Sequence, residues 1–185
     1  MRPIGIILAN SVLPAGLALA AMAGSAAIGQ SREPISALKG HNSDAPVDVT
    51  ADRIEIQDRA DRAIFAGNVK VRQAELTLDT QRLTVAYSSS GGVQIRRLDA
   101  AGGVVVRSPS ETARGQFGIY DLDRKLITLI GNVQLDRGTN RVAGSRLVID
   151  LDTGRAVIDG GPAGVNQSGG RVTGHFTVPS RNNGN

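Results

Sequence analysis

The sequence predicts an all-β fold, an antiparallel sheet of repeated strand pairs that is open or folded over on itself, as in a jelly roll or a flattened solenoid. Three observations carry this. Between Pro46 and Val178 the apolar residues fall at every second position, as in Val47/Val49, Ile54/Ile56, Val69/Val71, Leu76/Leu78, Leu83/Val85, Val133/Leu135 and Leu147/Ile149. A period of two is that of a strand with one buried face, and one solvated face goes with antiparallel pairing. The runs also repeat: Gly67-Asn68-Val69, Gly102-Gly103-Val104, Gly131-Asn132-Val133 and Gly160-Gly161-Pro162 place successive glycines 35, 29 and 29 residues apart. Finally, no stripe of helical period follows the N-terminal segment.

Taken in chain order, the first segment reads as a secretory signal peptide over residues 1–27. Arg2 precedes a charge-free stretch from Ile4 to Ile28, richest in Ile and Leu up to Leu19, with small residues at Ala21-Met22-Ala23 and Ser25-Ala26-Ala27 suited to cleavage. The alternative is an uncleaved anchor, opposed by Pro14 and the weakly apolar second half. Residues 28–45, with Pro34, Gly40, Asn42 and Ser43, lack periodicity and read as a flexible leader. Residues 46–180 form the β domain, in which the glycine signatures read as tight turns. The polar run Arg181-Asn182-Asn183-Gly184-Asn185 reads as a disordered tail.

Units of about 29 residues cannot each bury an apolar face, so they stack around one continuous core. Counted back from the signature glycine, Ile54/Ile56, Gly118/Tyr120 and Leu147/Ile149 share one offset pair, and Phe65, Leu129 and Ile158 share another. These side chains are expected on one face. Phe117 and Ile119 fall in the opposite register and mark either a bulge or an outward contact surface. Arg53, Arg82, Gln116 and Arg146 precede the signatures at similar offsets.

Composition narrows the function. Aromatics make up 3% and Trp is absent, so the core is aliphatic, while a net charge of +4 and a pI near 10.1 favour anionic partners. Without cysteine there are no disulfides or thiolate metal sites, and two histidines leave little for a metal centre. Neither a metal nor a cofactor is expected. Nucleic-acid binding would call for stacking aromatics among the basic residues, which this chain lacks. The pairs Asp121/Asp123 and Asp150/Asp152 could serve glycoside hydrolysis, but they recur at matching repeat positions beside Arg124 and Arg155 and read better as turn residues. No catalytic residue is assigned. A trough of aliphatic side chains rimmed by cations suits an acyl ligand with an anionic headgroup; Arg53, Arg62, Lys70, Arg72, Arg82, Arg96 and Arg97 are the rim candidates. A plain core under a solvated surface fits the periodicity equally well.

The segments Pro46-Val47-Asp48-Val49-Thr50-Ala51-Asp52, Phe65-Ala66-Gly67-Asn68-Val69, Tyr120-Asp121, Leu129-Ile130-Gly131-Asn132-Val133 and Val178-Pro179-Ser180 resemble the OstA-like (LptA) family of lipopolysaccharide-transport proteins. The likeness spans about Pro46 to Ser180 and extends to LptC-like and LptD-like proteins. It implies a twisted antiparallel β-jellyroll, open at both ends, that holds the acyl chains of lipid A. It also implies a periplasmic location, LptC-like and LptD-like partners, and head-to-tail self-association. Family interior positions fall on Val47, Val49, Tyr120 and Leu122, and the alternation extends the set to Ile56, Phe65, Val69, Leu129 and Val133. Arg107 and Gly118 depart from the pattern, standing where larger apolar residues are expected. Other readings are an anchored LptC-like component, a structural or adhesive repeat protein, and a β-solenoid enzyme.

Overall fold

The computed structural model describes Leu38 and residues 41–89, 91–161 and 170–178. The expected signal peptide, most of the leader and the tail beyond residue 180 lie outside these. The described residues form one antiparallel sheet: β1 (Val47–Thr50), β2 (Arg53–Gln57), β3 (Arg62–Gln73), β4 (Leu76–Ser88), β5 (Gln94–Arg107), β6 (Glu111–Asp121), β7 (Leu126–Arg137), β8 (Asn140–Asp150), β9 (Arg155–Asp159) and β10 (Thr173–His175). Six long strands, β3 to β8, pair in sequence order. At one end β1 and β2 both pair with β3; at the other β9 and β10 both pair with β8.

The glycine signatures are not turns, as the sequence had led us to expect. Three of the four are β-bulges in the middle of long strands, while Gly160-Gly161 follows the end of β9 and Pro162 lies outside the described residues. Residues 67–68 lie opposite Gln81, 102–103 opposite Gln116, and 131–132 opposite Ser145, with the register shifting at each. Both residues of each pair have positive φ: 80° and 46° at Gly67-Asn68, 90° and 84° at Gly102-Gly103, 82° and 48° at Gly131-Asn132. Two consecutive left-handed residues bend a strand sharply, and only Gly and Asn take that conformation readily. Because the bulges fall at the same level in β3, β5 and β7, the whole sheet bends along one line. The hydroxyl of buried Thr80 donates to the Ala101 carbonyl at 2.8 Å, beside this break in the ladder.

The bend creates a lower half-sheet, from Val69–Gln73 through Leu76–Asp79, Val104–Arg107, Glu111–Arg114 and Val133–Arg137, and an upper one on the other side of the bulges. Their apolar faces meet. Val71, Leu78, Val106, Ala113 and Leu135 form a buried row across the lower half. Two buried rows cross the upper half, Ala63-Val85-Leu98-Tyr120-Ile127-Ile149 and Leu83-Ala100-Gly118-Leu129-Leu147. Val69, Val104 and Val133, each 1% exposed, fill the angle beside the bulges. The sequence offsets acquire a direct meaning here, since Ile54↔Phe65, Gly118↔Leu129 and Leu147↔Ile158 are cross-strand partners.

Two residues that departed from the family pattern are accounted for. Arg107 belongs to the outer face, where it pairs with Asp79, and its neighbour Val106 points inward. Gly118 faces a tightly filled space: a Cβ there would stand 3.0 Å from Val104 and 3.1 Å from Leu129, so either side chain would have to give by a few tenths of an ångström.

The offset that grouped Gln116 with the arginines is one residue out. Phe117 shares a cross-strand row with Arg53, Arg82 and Arg146 on the outer face, while Gln116 sits opposite a bulge as Gln81 does. Phe117 is therefore outward, 52% exposed, next to the bulge rather than in it.

Charge ladders cover the outside of the lower half. Lys70 and Arg107 flank Asp79, and Arg114 and Arg141 flank Asp136 at 2.6 Å each. Burial pushes the Asp79 carboxyl up, but hydrogen bonds from Lys70 and Arg107, and their charges, hold it below the usual carboxylate range. Asp136 is held low against burial in the same way by Arg141, Gln134 and Arg114.

Candidate functional site

The bent sheet encloses an aliphatic trough between its halves. Val47, Val71, Leu76, Leu78 and Val106 line it from the lower half, and Leu98, Gly118, Tyr120, Ile127 and Leu129 from the upper. Strand alternation builds this surface, for each strand sends every second side chain inward on both sides of its bulge. As it stands the trough is packed: the remaining cavity is about 20 Å³, room for little more than one water molecule.

The structure places the nine expected residues unequally. Val69, Tyr120, Leu129 and Val133 are buried, with Leu129 at 0% exposure. Val47, Val49, Phe65 and Leu122 are half-buried and pack against that core. Ile56 shares the interior register, opposite Ala63, yet is 62% exposed, because β2 is an edge strand that no other described strand follows. Ile54, in the neighbouring row, is 53% exposed for the same reason. Among the described residues the aliphatic rows thus run out to an end of the sheet that no strand covers. Leu98, Val106 and Ile127 belong to the trough as fully as the residues singled out from the sequence; a strict count of alternate positions from Val104 would have found the first two.

Within the apolar lining sits one polar cluster that the sequence did not signal. Gln73, 3% exposed, is the last residue of β3 in the lower half, and its Oε1 accepts a hydrogen bond of 2.9 Å from the hydroxyl of Tyr120 in the upper half. The same oxygen accepts from His41 Nε2 at 3.1 Å, while Gln73 Nε2 donates to the carbonyls of Ser43 (2.8 Å) and Ala45 (3.0 Å). The amide is therefore fully used. Burial pushes the Tyr120 phenol up, opposed by hydrogen bonding with Ser43 and Gln73. His41 is 7% exposed, and Leu38, at 4%, is part of the core, so the packed domain takes in residues ahead of Pro46 that had read as leader. His41 Nδ1 lies 3.4 Å from a Glu75 carboxylate oxygen without forming a hydrogen bond.

The basic rim is largely committed elsewhere. Lys70 pairs with Asp79, Arg96 with Asp123, Arg97 with Asp99 and Arg53 with Glu55, and Arg62 donates to Gln57. Among the described residues only Arg72 and Arg82 of that set have no such partner, and both are on the outer face. The acidic pairs have local roles. Asp121 Oδ1 accepts from the Arg124 amide at 2.9 Å, and Asp150 Oδ1 from the amides of Asp152 (3.0 Å) and Thr153 (2.9 Å). The Thr153 amide is the main cause of the lowered Asp150 pKa. These are turn-stabilising carboxylates. No group of His, Asp and Glu among the described residues could hold a metal ion, and no described helix is long and apolar enough to cross a membrane.

Comparison with known proteins agrees with this architecture. A Rhizobium meliloti (strain 1021) protein described as uncharacterised is 36% identical over 125 residues, which is 64% of this chain and 67% of that one. The crystal structure of LptH from Pseudomonas aeruginosa, described as the LptA-homologous periplasmic component of the lipopolysaccharide transport device, superposes with a TM-score of 0.65. The match covers 75% of this chain and 99% of LptH at 17% identity, and so speaks for the fold. The sequence model of the LptA/LptD N-terminal domain family matches residues 48–155, from the first strand to the start of β9. With its strand pairs, bulges and aliphatic trough within those bounds, the chain belongs to the LptA/LptD N-terminal domain family of lipopolysaccharide transport proteins.

Proposed function

We propose that this protein is a periplasmic bridge that binds lipopolysaccharide and passes it from the inner to the outer membrane, with the acyl chains of lipid A lying between the two half-sheets. The observation that carries this reading is the pair of facing aliphatic half-sheets whose rows reach an open end at Ile54 and Ile56. A core that served only stability would be expected to close off its last strand with polar side chains. Val47, Val49, Ile56, Phe65, Val69, Tyr120, Leu122, Leu129 and Val133 are the proposed acyl-contacting residues. Family membership supports lipopolysaccharide over other acyl ligands, and the local roles of the acidic pairs support transport over catalysis.

The two ends explain how a bridge would be assembled. Among the described residues no further strand pairs beyond the short strands β1 and β2 at one end or β9 and β10 at the other, so their outer edges could pair with a further sheet. A second copy, or LptC-like and LptD-like partners of the same architecture, would extend the sheet and continue the trough. Such a head-to-tail contact need not close into a ring. In this reading residues 1–27 are removed on export and 46–180 carry the function.

The test compares purified protein binding to lipid A and to the fully deacylated glycan of the same lipopolysaccharide. Saturable binding of lipid A, with the glycan at least about 100-fold weaker, is expected if the acyl chains supply the apolar contact. Equal affinity for the two would mean that the trough is not the site.

A further inference from the structure

The trough is shut in this structure, with a cavity of only about 20 Å³, so an acyl chain enters only if the half-sheets part. Along the strand ends opposite the bend, one side chain ties three pieces of the chain together. Gln73 belongs to the lower half, Tyr120 to the upper, and His41, Ser43 and Ala45 to the segment that precedes β1. That segment is held by Gln73 from below, and the Gln73 Oε1 that accepts from His41 also accepts from Tyr120 above. It is anchored further in by Leu38, whose carbonyl accepts from the His41 amide at 3.0 Å. Most of the rest of the facing surface is apolar, and such contacts are non-directional and let a lipid chain take the place of a side chain. The Gln73 hydrogen bonds are directional, and an acyl chain cannot replace them.

We propose that residues His41–Ala45 form a strap, fastened by Gln73 and Tyr120, that closes the mouth of the trough in the empty protein and must be released before lipid enters. The ligand in this proposal is that of the bridge reading above; the strap is a separate claim about how the site opens. Buried His41 Nδ1 makes no hydrogen bond, so the fastening is incompletely satisfied, as suits a closure that has to open. Release exposes the Gln73 amide and the Tyr120 hydroxyl at the mouth, where water or a polar headgroup satisfies them. The strap thus exchanges hydrogen bonds as the aliphatic halves exchange contacts.

The experiment uses the full chain and radiolabelled lipid A, with uptake counted on protein separated from free lipid. Asp44 and Glu75 are exposed and the chain has no cysteine, so Asp44→Cys with Glu75→Cys provides two unique thiols that a short, reducible crosslinker can join. Joining them is expected to slow uptake at least tenfold, with recovery when the crosslinker is cleaved. Tyr120→Phe keeps the ring and removes one fastening bond, and is expected to speed uptake about fivefold. Gln73→Leu, which removes all the fastening bonds, should speed it further, and Tyr120→Phe carries this arm if Gln73→Leu does not fold. Unchanged rates in both the joined protein and Tyr120→Phe would overturn the strap while leaving lipid binding intact. No uptake by any form, the cleaved protein and Gln73→Leu included, would overturn the bridge reading and the strap together.

Discussion

Leu129→Ala is expected to destabilise the domain by about 3 kcal/mol, because it empties the centre of the core without a neighbour able to fill the space. Leu129 is fully buried in the upper half. It stands between Gly118 on β6 and Leu147 on β8, and its Cδ2 would lie 3.1 Å from a Cβ at Gly118. Glycine on one side has no side chain to move into the gap, and Leu147, also fully buried, is flanked on its far side by Ile158. Thr128→Ala, one residue away on the outer face, is expected to change stability by less than about 0.5 kcal/mol. Denaturant unfolding of the two variants measures both values, and similar losses would mean that the inside and outside of β7 have been confused.

The second large effect falls on a bulge. Gly131→Ala places a Cβ at a residue with φ of 82°, 2.5 Å from the Gln116 Oε1 and 3.1 Å from its Cβ. The left-handed conformation alone costs an alanine about 1–2 kcal/mol; the exposed Gln116 amide can turn away, but its Cβ must give by a few tenths of an ångström, for a total of about 2–3 kcal/mol. Gly103→Ala separates the two causes. Its φ is 84°, but a Cβ there has no neighbour within 4 Å, so only the conformational part, about 1–2 kcal/mol, is expected. Thermal or denaturant unfolding of the pair gives the difference. If both variants lost the same amount, the close approach of Gly131 to Gln116 would have no energetic weight, and the glycines would be there for backbone conformation only.

These bulges show where sequence reading stops. Alternation in Leu83/Val85 or Leu147/Ile149 reports a local property, the period of a strand, and it carries through to the buried rows. The repeat spacing likewise yields the strand pairs, since Gly118 and Leu129, at fixed offsets from one signature, are neighbours across β6 and β7. A Gly-Asn pair, however, has the same composition in a hairpin turn as in a bulge, and what distinguishes them is whether pairing continues on both sides. That is a non-local fact, and it decides whether the sheet ends or bends.

The polar cluster was hidden for a related reason. Gln73 and His41 are residues that composition assigns to the surface, and Gln73 becomes a core residue only because Tyr120, 47 positions away, and the carbonyls of Ser43 and Ala45 satisfy its amide. Ile56 went the other way. Its inward register is legible, but its exposure depends on β2 being the last strand of the sheet.

The family and the fold stand on the matched sequence and the superposed structure; the central claim beyond them is that the space between the half-sheets is where lipid travels. A photoreactive benzoylphenylalanine at Phe65 or Val49, both half-buried on the inner face, and at Thr84 or Asp150 on the outer face, tests it in cells that make lipopolysaccharide. Crosslinks to lipopolysaccharide from the two inner positions and none above background from the outer two are the expected result. Equal labelling of all four, or labelling of the outer pair alone, would contradict the account.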